Sequence, residues 1–100
     1  MDDDTPREEV LDELFSTIES RREELPEDSY TTTLFTHEKG ENYALEKLGE
    51  EATETILAAK DDDREELLYE SADLVYHLLV VLATHDASLD DLREELQSRF

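Results

Sequence analysis

One hundred residues carry 30 acidic and 9 basic side chains, a formal charge of −21 with histidine neutral, and so make one small, strongly anionic domain. That balance excludes the usual routes to nucleic acid, which run on Lys and Arg displacing counterions, and to anionic membrane surfaces. With no cysteine in the chain there is no disulfide, thiolate nucleophile or cysteine zinc site. No apolar run approaches the ~20 residues of a membrane span, and aspartates at positions 2–4 do not suit a signal peptide, so a soluble cytoplasmic protein is expected.

High charge with 37% hydrophobic residues is also the signature of disorder. The placement of those residues decides against it, because Leu, Val and Ile recur at helical spacing along most of the chain. Residues 1–4 read as an acidic tail before a domain over residues 5–100. Thr5-Pro6-Arg7-Glu8 predicts a helix start with Thr5 as N-cap, Pro6 in the first turn and Glu8 closing a capping box. Val10, Leu11, Leu14, Phe15 and Ile18 form its apolar stripe, which ends near Leu25-Pro26. Ser29 to Phe35 predicts one or two helical turns, and Gly40 a break.

A second long helix is predicted over 41–60, with Leu45, Leu48, Ala52, Ile56 and Ala59 on one side. Three aspartates interrupt it, and Asp63 with Glu66 forms the next capping box. The third long helix runs over 64–84. A short last helix starts at Ser88, with Asp91 three residues on, and carries Leu89, Leu92 and Leu96. No strand-like alternation occurs, so the fold class is all-α. On the third helix Leu67, Leu68, Ala72, Leu74, Val75, Leu78, Leu79, Val81 and Leu82 cover about half the circumference at 100° per residue. The few remaining helices cannot cover an arc that wide. A four-helix-type core completed by dimerisation is therefore expected.

On the polar side of that helix Glu66, Glu70, Asp73 and His77 form a single ribbon, spaced i, i+4, i+7 and i+11. Glu50, Glu51 and Glu54 cluster on the second helix, with Lys47 one turn before. Carboxylates at this spacing repel unless a positive charge lies between them. An all-oxygen set suits a hard cation, Mg²⁺ or Mn²⁺, whose open positions substrate phosphates fill. The same spacing also arises by composition alone, as in Glu8-Glu9-Asp12-Glu13 and Asp91-Glu94-Glu95. What separates the ribbon from these is its setting in an apolar helix, where unpaired charge is costly to bury. His77 reads as a structural hydrogen-bond partner of the acidic row, and His37 and His85 as loop or helix-end residues. No serine stands in a Gly-flanked elbow, only Gly40 and Gly49 exist to make a phosphate loop, and no Glu-x-x-His pair of a di-iron bundle is present.

The run from Lys47 to Lys60, KLGEEATETILAAK, is followed by Glu70-Ser71-Ala72-Asp73-Leu74-Val75-Tyr76-His77-Leu78-Leu79-Val80. With Ser29-Tyr30-Thr31 and Leu34-Phe35 upstream, it resembles the phosphoribosyl-ATP pyrophosphohydrolases, over about residues 8–98. These belong to the all-α, MazG-like nucleotide pyrophosphohydrolases, whose signature is two acidic pairs on adjacent helices, here Glu51-x-x-Glu54 and Glu70-x-x-Asp73. The resemblance implies a Mg²⁺-dependent hydrolysis of phosphoribosyl-ATP to phosphoribosyl-AMP and pyrophosphate, the second step of histidine biosynthesis, by a homodimer. It implies Glu51, Glu54, Glu70 and Asp73 as metal ligands with Glu50 as a further candidate, and Lys47 and Lys60 as phosphate contacts. Glu46 departs from the pattern, standing where many relatives carry a second basic residue beside Lys47. A carboxylate not fully engaged with metal, Glu50 or Glu54, would orient or deprotonate the attacking water. Two other readings remain at this point: a general MazG-type nucleoside triphosphate pyrophosphohydrolase, and a non-catalytic acidic helical module for basic partners. Most of the remaining acidic residues serve no chemistry, and they predict a surface adapted to high salt.

Overall fold

A computed structural model describes residues 4–100, so the predicted tail lies almost wholly outside the described residues. A 3₁₀ turn, Arg7–Glu9, leads into α1, Val10–Glu24; α2 is Tyr30–Thr36, α3 Glu41–Lys60, α4 Arg64–Thr84 and α5 Leu89–Gln97. There is no strand among the described residues, and the all-α expectation holds. The bounds of α3 and α4 coincide with those read from the sequence.

The start of α1 differs from expectation. Pro6 caps the 3₁₀ turn, with the Glu9 N–H donating to its carbonyl at 2.9 Å, and no side chain caps either the turn or α1. Pro6 at ψ 145° stands outside the helix, so Thr5 is one residue too early to close a box with Glu8. Asp63 does cap α4, accepting from the Glu66 N–H at 3.1 Å, but only this half of the box forms. The Glu66 side chain instead lies close enough to influence Glu70. Ser88 and Asp91 complete both halves at the start of α5. The Ser88 N–H and hydroxyl hold the Asp91 carboxyl below its usual range.

Helix ends are closed by residues in left-handed geometry. Asp62 (φ 56°) and Asp86 (φ 58°) each sit just past a helix end, where the two following-residue bonds of a Schellman motif form: Asp62 N–H to Ala59 and Asp63 N–H to Ala58 after α3, Asp86 N–H to Ala83 and Ala87 N–H to Leu82 after α4. Aspartate enters this region at less cost than most side chains. Leu25 also stands in this region after α1, at φ 49°, its N–H donating to the Arg21 carbonyl at 2.9 Å. Gly40, at φ 66° and ψ −148°, occupies a region open only to glycine and sets the turn from α2 into α3.

The most extensive interface is between α3 and α4, an antiparallel pair joined by three aspartates. Helices α1 and α2 pack across one end of the pair, and α5 returns onto α1. The core gathers Ile18, Leu34, Ala44, Leu79, Val80, Ala83 and Leu89, with Leu14, Phe15, Phe35 and Tyr76 packed against it. Ion pairs Arg22–Asp86 (3.0 Å) and Arg93–Asp12 (2.8 Å) pin α1 to the α4–α5 turn and to α5, each exposed and of small energetic weight.

Helix α4, 21 residues with a mean hydropathy of 1.4 in its most apolar stretch, is long and apolar enough by length and composition to cross a membrane. Glu70, Asp73 and His77 interrupt that stretch, so it holds no unbroken apolar run of the ~20 residues a span needs.

Leu79 is 1% exposed. Leu79→Ala should lower stability by ~2–5 kcal/mol through lost burial and the cavity left behind, read as a shift in urea midpoint at constant slope.

Candidate active site

The α3–α4 packing brings the two acidic runs face to face. Glu51 on α3 and Glu70 and Asp73 on α4 each place a carboxylate oxygen within 4.8 Å of the others. Glu70 is only 6% exposed. The Oε2 atoms of Glu51 and Glu70 are both buried without a hydrogen-bond donor. A carboxylate in such a place is expensive unless protonated or met by positive charge. Glu70 accordingly has its pKa pushed up to about 8: first by hydrogen bonds a proton would let it share with Glu51 and Glu54, then by burial, then by Glu66. Hard oxygen donors, convergent and undersupplied with hydrogen-bond donors, are what a divalent cation of the Mg²⁺ class requires, so the residues present fit such an ion.

The other sequence candidates lie around this centre. Glu54, one turn on from Glu51, is exposed and borders Glu70. Glu50 turns away, its Oε2 3.2 Å from Lys47 Nζ. This hydrogen bond, and then the Glu50 charge, raise the Lys47 pKa. Lys47 also lies 5.7 Å from the Tyr43 ring centroid. Lys60 is exposed in the last turn of α3, about 13 Å along the helix from Glu51 at 1.5 Å per residue. Glu46 pairs with Lys39 at 3.3 Å on the surface.

An aromatic group that the site residues named from sequence omit flanks the carboxylates. Ser29 caps α2, accepting from the Thr32 N–H, which presents Tyr30 and Thr31 toward α4. The Tyr30 hydroxyl is 3.1 Å from His77 Nε2, and His77 Nδ1 is 2.8 Å from the Asp73 carbonyl oxygen. Thr31 and Tyr76 share a short hydroxyl–hydroxyl bond. The rings of Tyr30 and Tyr76 stack at 6.3 Å, and His37 stacks on Tyr43 at 3.9 Å with the ring planes nearly parallel, at 7°. The Tyr30 pKa is raised, mainly by burial and next by Tyr43, with Lys47 pulling the other way. Burial raises that of Tyr76. The signal was present on α3, where Tyr43, Lys47 and Glu51 recur every four residues. The Tyr30–His77 pair, 47 residues apart, had none.

A match to the phosphoribosyl-ATP pyrophosphohydrolase family spans residues 11–100. The chain belongs to this family. It is 69% identical over 98 residues to a phosphoribosyl-ATP pyrophosphatase of Haloquadratum walsbyi, covering 98% of this chain and 97% of that one. A protein of the same name in Haloarcula marismortui is 67% identical over 99 residues, 99% of each chain. One in Natronomonas pharaonis is 70% identical over 92 residues, 92% of this chain and 91% of that one. The protein is therefore an enzyme of the pyrophosphatase class acting on a small molecule, and the reading as a non-catalytic acidic module is set aside.

A group whose folded pKa stands above its unfolded value binds more protons when folded, so stability falls as pH rises between the two values. Without divalent cation, wild type should lose stability relative to Glu70→Gln as pH goes from 5 to 8. The two proteins should converge at the acid end, as read by melting temperature. Equal pH slopes would contradict the protonation of Glu70.

Proposed function

We propose that this chain hydrolyses phosphoribosyl-ATP to phosphoribosyl-AMP and pyrophosphate, the second step of histidine biosynthesis, with Glu51, Glu70 and Asp73 holding Mg²⁺. The observation that carries the metal assignment is the meeting of these three carboxylates, Glu70 buried and the other two half-buried, two of whose oxygens have no donor. Bound there, Mg²⁺ supplies positive charge that lets a polyanionic substrate enter an acidic groove and eases charge development on its phosphates.

The chain's own residues do the rest. Lys47, on the rim at the next turn of α3, meets phosphate oxygens, and Lys60 gives a second, more distant cation. Glu54 is exposed beside the buried cluster and is placed to take the proton of an attacking water. Glu50, paired with Lys47, serves more naturally to orient that lysine. Water adds at the α–β linkage of the triphosphate, the bridging P–O bond breaks, and pyrophosphate leaves.

Glu51→Gln and Asp73→Asn should each lower Mg²⁺-dependent pyrophosphate release by ~100-fold or more, the scale of losing several kcal/mol of charge stabilisation, while circular dichroism stays unchanged. Near-wild-type rates in both would remove the metal assignment. Equal turnover of ordinary nucleoside triphosphates would favour a general pyrophosphohydrolase instead.

The domain is taken as residues 5–100, working as a soluble cytoplasmic homodimer. Ile56, Leu57, Leu68, Tyr69 and Val75 are exposed on the α3–α4 pair, Tyr69 at 64%, an apolar surface that a second copy would cover. The acidic ribbon and the packing of α4 on α1, α2 and α3 support a core helix over a membrane span. A charge of −21 on 100 residues also supports adaptation to high salt, where screening shortens to ~3 Å at 1 M. In molar KCl the chain should sediment at twice 11.6 kDa and melt well above its temperature in dilute buffer. A monomer with a flat salt response would contradict both.

A further inference from the structure

The phosphohydrolase reading above leaves the nucleoside half of the substrate without a partner, and the inference that follows rests on that reading. His77 is 3% exposed and its Nδ1 faces the Asp73 carbonyl at 2.8 Å. A carbonyl only accepts, so Nδ1 carries the proton. In the neutral ring Nε2 is then a bare acceptor, and the group 3.1 Å from it is the Tyr30 hydroxyl. The single phenolic proton of Tyr30 is thereby spent inward, although the residue is 48% exposed. Toward solvent the hydroxyl has only lone pairs to offer.

That restricts what Tyr30 can bind. Ionised phosphate oxygens have no proton to donate and are poor partners for it. A sugar hydroxyl donates readily. The layout along α3 favours the sugar as well. Glu51, Lys47 and Tyr43 step along the helix by about 6 Å each, and both Lys47 and Tyr43 lie close enough to Tyr30 to perturb its phenol. Phosphates at the carboxylates and Lys47 would set the ribose beside Tyr30, and the base toward the stacked pair His37 and Tyr43.

We infer that Tyr30 is a specificity-determining residue that accepts a hydrogen bond from a hydroxyl of the ribose bearing the triphosphate, its own proton being held by His77. The test is steady-state kinetics of wild type and Tyr30→Phe, with Mg²⁺ in molar KCl, on substrates prepared from ATP, 2′-deoxy-ATP and 3′-deoxy-ATP. Tyr30→Phe should raise KM about tenfold with a much smaller change in kcat, the pattern of a lost ground-state hydrogen bond. One deoxy substrate should cost wild type a similar factor and cost Tyr30→Phe nothing more. An unchanged KM, a loss carried by kcat alone, or losses that multiply for both deoxy substrates would overturn the inference while leaving the reaction intact. Wild-type inactivity on the parent substrate would overturn both.

Discussion

Everything in this molecule is arranged around one unfavourable contact: the Glu70 carboxylate, 6% exposed, packed against Glu51 and beside Asp73. Like charges at this separation in a part-dry setting repel, and each must be offset by a proton or a cation. The rest of the fold keeps them together despite that. Helices α3 and α4 bury their facing sides along most of their length, and α1 and α2 close over one end with Ile18 and Leu34. The apolar packing thus supports a charge cluster that would disperse in an isolated helix pair.

The polar ribbon of α4 links the two. Glu70, Asp73 and His77 lie on successive turns, and the third is joined to the second through its backbone, by Nδ1 to the Asp73 carbonyl. Tyr30 is thereby joined, through His77, to the α4 turn that carries a cluster carboxylate. The aromatic flank and the acidic centre are thus hydrogen-bonded neighbours, with α2 on the outer side.

Much of this was legible in the sequence. The long helices declare themselves because Leu, Ile and Ala repeat at 3.6-residue spacing and because three aspartates can end one helix and cap the next. Glu51, Glu70 and Asp73 stand out because a charged ribbon interrupts an apolar helix. What stayed hidden depends on tertiary contact. Thr5 had the residue type of a cap but not the backbone, since Pro6 lies outside the helix. Glu50 and Glu54 looked equivalent, and only the direction of each side chain, one toward Lys47 and one toward Glu70, separates them. The partnership of Tyr30 with His77 joins two elements 47 residues apart, with no pattern in either segment to announce it.

The three-aspartate turn between α3 and α4 has a kinetic meaning. It makes the largest interface in the molecule also one of the most local, so the chain has the low contact order of fast-folding helical proteins. The acidic centre is consequently assembled within a single hairpin rather than by a late docking of distant segments. Its repulsion is therefore local to that hairpin, to be offset there by a proton or a cation.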